Sequence, residues 1–103
     1  MTPIYEVVFR PKAAKAFQKL DAALQKQLAR KLIERRLNPK VAADAVREIR
    51  GGYKIKLRAS GFRLIYLVRD AQLVILVLSV GKREREEAYS EAIKEFGKRD
   101  DQS

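Results

Sequence analysis

The sequence predicts a small α+β fold, and three observations carry that prediction. Short apolar runs near the start and through the second half read as four β-strands. Between the first strand and the other three, apolar residues recur at three- and four-residue spacing, the period of two amphipathic helices. A further helical stretch follows the last strand. The expected architecture is a single domain over residues 1–103 with an ordered core of about 4–96. It has an antiparallel-rich sheet, an N-terminal helical hairpin packed on one face, and a C-terminal helix. A chain of 103 residues with 47% hydrophobic content can build one core without staples, and its 35% of charged residues does not make it disordered.

The first strand is "IYEVVF", residues 4–9. Pro11 suits the first turn of a helix over 11–20, where Ala13, Phe17 and Leu20 share one side. Asp21 is placed to cap a second helix over about 22–37, with Leu24, Leu28, Leu32, Ile33 and Leu37 at helical spacing. Its other face carries Lys26, Arg30, Lys31, Arg35 and Arg36, and Asn38-Pro39 ends it. Residues 40–52 are weakly patterned, a helical turn or a loop closed by Gly51-Gly52. Strands follow over about 52–59, 62–69 and 73–80, with Ser60-Gly61 and Asp70-Ala71-Gln72 as their turns. "LVILVLSV" is apolar at nearly every position, as a central strand covered on both faces would be. The last helix spans about Glu84 to Phe96, Gly97 stops it, and "KRDDQS" frays.

The stretch "YKIKLRASGFR", residues 53–63, holds four cations and no acid, and no Asp or Glu occurs between Glu48 and Asp70. Side chains alternate across a strand. Tyr53, Ile55 and Leu57 therefore point one way, and Lys54, Lys56 and Arg58 the other. A two-residue loop at Ser60-Gly61 would set Arg58 opposite Arg63 and Leu57 opposite Leu64, giving one apolar face and one basic face. A three-residue loop would mix the faces, so an even loop is preferred. Lys54, Lys56, Arg58 and Arg63 then form one cationic patch. Opposed like charges destabilise a strand pair, which suggests an anionic ligand.

Net charge agrees: 23 Lys plus Arg against 13 Asp plus Glu gives +10. Nucleic acid is the leading partner, with an acidic protein or an anionic membrane surface as alternatives and a solubilising excess as the bland reading. The absence of cysteine and histidine removes disulfides, thiolate nucleophiles, imidazole acid–base catalysis and the usual metal ligands, so no metal or cofactor is implied. The N-terminus lacks the basic start and long apolar run of a signal peptide. The longest apolar run, Leu73 to Leu78, falls far short of the roughly 18–20 residues that span a bilayer. The expectation is a cytoplasmic protein with no membrane partner.

After the central strand, "GKREREEAYSEA" adds Lys82, Arg83 and Arg85 and then Tyr89. A phenol beside cations suits a stacked nucleobase with its phosphates held. Tyr89 could equally pack into the core. RNA cleavage without histidine would proceed by attack of the 2′-OH on the adjacent phosphate, leaving a cyclic phosphate. Fixed cations would stabilise the excess negative charge of the transition state. A lysine among other cations can serve as general base, whereas an arginine is a poor proton donor in isolation.

"YKIKLRASGFRLIYLV" followed by "SVGKREREEAYSEA", with "REIRGG" before them, closely resembles the RelE toxins of the RelE/ParE toxin–antitoxin superfamily. The resemblance covers about residues 4–96 and is strongest over 50–92. It implies a ribosome-dependent mRNA endonuclease that cleaves the codon exposed in the ribosomal A site. Under it, Lys56 corresponds to the general base on the 2′-OH. Lys54 and Arg63 steady the scissile phosphate, Arg83 donates the proton to the leaving 5′-oxygen, and Tyr89 orients or stacks on the codon base. Arg50 sits where the family has a further RNA- or ribosome-facing arginine. Arg58, Lys82 and Arg85 would add RNA contacts, and Lys26, Arg30, Lys31, Arg35 and Arg36 would meet ribosomal RNA phosphates. The resemblance also implies a neutralising RelB-like antitoxin that often displaces or blocks the C-terminal helix, and DNA contact only through the toxin–antitoxin complex. The alternative within the superfamily is a ParE-like toxin that shares the fold but binds DNA gyrase without catalysis. A further alternative is an inactive RNA- or protein-binding module.

Overall fold

The computed structural model describes residues 3–82 and 87–97. Arg83, Arg85, the expected helix start at Glu84 and the tail beyond Gly97 lie outside them. The elements are β1 (Glu6–Phe9), α1 (Pro11–Gln18), α2 (Ala22–Arg35), β2 (Gly52–Leu57), β3 (Phe62–Arg69), β4 (Val74–Lys82) and α3 (Glu87–Phe96), with short 3₁₀ turns at Ala42–Asp44 and Asp70–Gln72.

The sheet runs β1-β4-β3-β2. β4 pairs in parallel with β1 and antiparallel with β3, and β2 is antiparallel to β3. β4 is therefore interior, as its apolar run predicts. Ile75 and Val77 are fully buried in one core layer and Leu78 in the other. The first layer joins Ile55, Leu57, Leu64 and Tyr66 of the sheet to Ala13, Leu28 and Leu32 of the first two helices. The second joins Ile65 and Leu78 to Ala88 and Ala92 of α3, with Val46 and Ile49 from the loop before β2.

Local chemistry sets the helix boundaries. Pro11 opens α1, and Leu24 N–H donates to the Asp21 carboxylate at 2.9 Å to cap α2. The Gln25 amide donates to the carbonyls of Phe17 and Leu20 at 3.0 and 3.1 Å, which binds the end of α1 to the start of α2. Ile33 and Leu37, expected on the apolar stripe of α2, are instead 61% and 57% exposed. α2 ends at Arg35 and rests only Leu24, Leu28 and Leu32 on the sheet layer.

The weakly patterned residues 40–52 form a loop clamped along β2. Val46 N–H donates to the Gly52 carbonyl at 2.9 Å, and Ala45 bridges Tyr53. Gly52 is buried so closely against this loop that an added Cβ would stand 2.8 Å from Ile49 Cβ. Only glycine permits that approach.

A register shift between Ile65 and Tyr66 sets Ile65 opposite Ser79 and Tyr66 opposite Val77. Leu78 is the extra residue of the resulting bulge, so Leu78 and Ser79 both reach the α3 side. Ser79 Oγ donates to the Ala88 carbonyl at 2.6 Å, which satisfies a buried hydroxyl and docks the start of α3.

The outer half of α3 is tied to the start of α1. Lys12 Nζ lies 2.8 Å from Glu91, Arg10 pairs with Glu95, and the Arg10 guanidinium stands 4.8 Å from the Phe96 ring centre. The hydrogen bond and charge of Lys12 hold the Glu91 carboxyl below its ordinary pKa, and Glu91 in turn raises Lys12 above its own. A lowered carboxyl pKa adds stability above its ordinary value of 4.5 that disappears as pH falls through the folded value. A raised amine pKa adds stability below its ordinary value of 10.5 that disappears as pH rises through the folded value. The tie is thus complete between those limits. Because both groups are exposed its strength is small. Amide hydrogen exchange across α3 should be modestly faster in Glu91→Gln than in the parent at neutral pH, and the difference should shrink as pH falls below 4.5 and vanish once Glu91 is protonated. An undiminished difference in acid would show that the pair does not hold the helix.

Candidate active site

β2 and β3 present the cations. Alternation turns Tyr53, Ile55 and Leu57 into the layer under α1 and α2, and Lys54 and Lys56 to the α3 side. The observed pairing sets Lys56 opposite Arg63 and Lys54 opposite Ile65. The predicted pairing, with Arg58 opposite Arg63, is therefore shifted by two residues. The hairpin loop is Arg58–Gly61, four residues long, with Gly61 at φ +80°. A four-residue loop keeps the parity of a two-residue loop, so the apolar and basic faces stay apart as expected. Arg58 moves from the strand face into the turn.

α3 covers only part of this face. Ile65 and Leu78 are packed beneath it, with Leu67 and Leu76 against them, while Lys54, Lys56 and Arg63 lie half-buried toward the β2 edge. Tyr89 of α3 stands at the border. The Arg63 guanidinium carbon is 4.9 Å and the Lys54 ammonium 5.8 Å from its ring centre. Both distances suit cation–π attraction. Tyr89 packs against the α3 core layer and its ring also meets the cations.

Among the described residues, Lys54, Lys56, Arg58 and Arg63 form no ion pair with a carboxylate. Arg63 Nε is buried with no hydrogen-bond partner there. Concentrated charge without internal compensation is costly to a fold, and an anion relieves it. A cleft of about 230 Å³ opens beside these groups, lined by Lys56, Arg58, Phe62 and Arg63. Lys82, at the end of β4, extends over the Phe62 ring at 5.8 Å.

The other expected cations are dispersed. Arg50 is exposed on the turn before β2, and no hydrogen bond or ion pair among the described residues ties it to the cluster. Lys26, Arg30 and Lys31 are exposed on α2, and Lys31 lines a cleft that also includes Lys56. Arg35 and Arg36, expected on the outward basic face, turn inward instead. Arg36 Nε donates to the Tyr5 carbonyl at 2.8 Å. Arg35 donates to Tyr66 Oη at 2.7 Å, to the Lys54 carbonyl at 3.3 Å and to Asp44 at 2.6 Å. Tyr66 Oη donates onward to the Pro39 carbonyl at 2.6 Å. Burial raises the Tyr66 phenol pKa, and the hydrogen bond from Arg35 opposes that rise. This network braces the outer edge of β2 directly behind Lys54. Helical periodicity could not reveal it, because its acceptors lie on a loop and a neighbouring strand.

No group of three or more His, Cys, Asp or Glu side chains able to hold a metal occurs among the described residues. None of their helices is long and apolar enough to cross a membrane.

Residues 7–87 match the family described as ParE toxin of type II toxin–antitoxin system, parDE. The chain is 54% identical to a RelE-like protein of Escherichia coli over 86 residues, 84% of this chain and 90% of the relative. It is 47% identical to mRNA interferase toxin RelE of E. coli K12 over 90 residues, 87% of this chain and 95% of that one. A free E. coli RelE with two arginines changed to alanine superposes with a TM-score of 0.83 at 43% identity, covering 89% of this chain and 97% of that one. RelE in the intact E. coli RelBE toxin–antitoxin complex superposes at 0.75 and 42% identity, covering 76% and 95%. The chain belongs to the RelE toxins of the RelE/ParE toxin–antitoxin superfamily.

Proposed function

We propose that this chain is the toxin of a type II toxin–antitoxin system and an mRNA interferase, an endoribonuclease that cuts the codon held in the ribosomal A site. The observation that carries the reading is the cluster of Lys54, Lys56 and Arg63, without an acidic partner among the described residues and bordered by the Tyr89 ring. It is supported by 47% identity to a relative named mRNA interferase toxin RelE over 95% of that protein.

In this mechanism Tyr89 stacks on a codon base and positions the neighbouring phosphate over the cations. Lys56 takes the proton of the 2′-OH as the O2′–P bond forms. Lys54 and Arg63 neutralise the charge growing on the non-bridging oxygens. Arg83 gives a proton to the 5′-oxygen as the P–O5′ bond breaks, leaving a 2′,3′-cyclic phosphate and a 5′-hydroxyl. The exposed cations Arg50, Lys26 and Arg30 contact ribosomal RNA phosphates, with Arg85 and Lys82 flanking the message. A RelB-like antitoxin neutralises the toxin, in keeping with the RelBE complex of the E. coli relative.

The ParE name of the matching family favours a second reading, a non-enzymatic toxin that binds DNA gyrase. Such a toxin has no need of the clustered lysines and arginine. Primer extension on a ribosome programmed with an empty A site separates the readings. Cleavage within the A-site codon only when ribosomes are present is the expected result. An intact message with folded protein would move the assignment to the gyrase reading, and cleavage of free RNA would remove the ribosome from the mechanism.

A further inference from the structure

The cationic cluster does not end at the sheet face. Lys56 and Arg58 line the cleft that contains Arg63, and the same two residues line a second cleft of about 270 Å³. The second cleft is completed by Lys31 and Arg35 of α2 and by Ala43 and Asp44 of the loop before β2. α2 lies under the opposite face of the sheet from α3, since Leu28 and Leu32 belong to the other core layer. The two clefts adjoin at Lys56 and Arg58, so the cationic surface runs from Arg63, across the outer edge of β2 at Lys56, to Lys31 of α2.

The charge along the groove suits a polyanion throughout. Among the described residues the only carboxylate lining either cleft is Asp44, and Arg35 pairs with it at 2.6 Å. Lys31, Lys56 and Arg58 remain without an acidic partner among the described residues. Arg35 is held by Tyr66 and the Lys54 carbonyl, so the wall of the second cleft is rigid where it meets β2. A groove with spaced cations along it, whose Arg63 end meets the Tyr89 ring at 4.9 Å, has the form of a track for a single strand.

Resting on the nuclease reading above, we propose that the Lys31 end of this groove is a second phosphate subsite, holding the backbone phosphate adjacent to the scissile one. The mRNA strand then bends around the β2 edge with Lys56 at the turning point. Lys31 contributes to holding the message and has no part in the bond-breaking step.

The test uses A-site cleavage on programmed ribosomes and three messages: an unmodified one and two carrying a neutral methylphosphonate at the phosphate on either side of the scissile one. Lys31→Gln should lower kcat/KM on the unmodified message about fivefold, the scale of one exposed charge contact. It should also reduce the salt slope of log kcat/KM by roughly 0.7, the value for one single-strand phosphate. On one of the two modified messages the parent should lose a similar factor, and Lys31→Gln should lose nothing further. Equal cost of Lys31→Gln on all three messages would overturn the subsite and place the contact on ribosomal RNA. No cost on any message would overturn it as well. Failure of the parent protein to cut the unmodified message would instead remove the nuclease reading itself, which is a separate outcome.

Discussion

Lys56→Ala should slow A-site cleavage by about 10²–10⁴-fold, the usual contribution of a general base, while ribosome binding is nearly unchanged. The geometry separates the two effects. Lys56 lies opposite Arg63 on the sheet face and lines both clefts, so it is the amine best placed to meet a 2′-OH beside a phosphate held by Arg63. It is one cation in a chain with 23, so its removal takes little from the overall electrostatic attraction to a polyanion. It is half-buried with no side-chain hydrogen bond among the described residues, so alanine there removes no structural contact of consequence. Single-turnover cleavage and ribosome co-sedimentation measure the two quantities. Normal cleavage by the variant would end the general-base assignment. Weak binding together with weak cleavage would recast Lys56 as an anchoring group.

Arg35→Met should lower stability by about 2 kcal/mol, and with it the melting temperature by about 8–16 °C. Methionine keeps most of the volume but none of the donors. Arg35 and Asp44 are 14% and 20% exposed at the side chain, so the orphaned carboxylate is partly solvated and the cost stays below that of a fully buried pair. Tyr66 Oη loses its donor but keeps its bond to the Pro39 carbonyl, and the Lys54 carbonyl loses its contact from α2. Removing both charges with Arg35→Met/Asp44→Leu should cost less than the sum of the single changes, because neither group is left alone. Thermal unfolding followed by circular dichroism gives all three values. Strict additivity would show that the pair does not act as a unit.

Much of the fold was legible because periodicity and punctuation residues report on local structure. Pro11, Asp21, the continuous run through Ile75 to Leu78 and the alternation in "YKIKL" each led to the element observed. The hairpin register was legible only in part. Segregation of the faces depends on whether the loop is even, and loops of two and four residues satisfy it equally, so Arg58 was placed on the strand. Ile33, Leu37, Arg35 and Arg36 were misjudged for a related reason. Helical spacing tells which residues share a side, but which side is covered depends on where α2 ends and how the loop after it runs. Lys54 and Arg63 meet the Tyr89 ring, while Arg83 lies outside the described residues.

The strand order also bears on synthesis of the protein. β1 and β3 are not paired with each other, and both pair with β4, which is synthesised after them. Before β4 is added, β1 and the β2–β3 hairpin share no strand pairing and are linked through α2, whose Leu28, Leu32 and Arg35 meet Ile55, Leu64 and Tyr66, and a two-stranded hairpin is marginal by itself. α3, which brings Tyr89, docks only on the completed sheet through the Ser79 hydroxyl and the residues at the start of α1. The Tyr89 border of the cationic cluster is thus assembled after the sheet, from α3 and the start of α1. The cationic cluster is in this way left without its Tyr89 border until both β4 and α3 have been made.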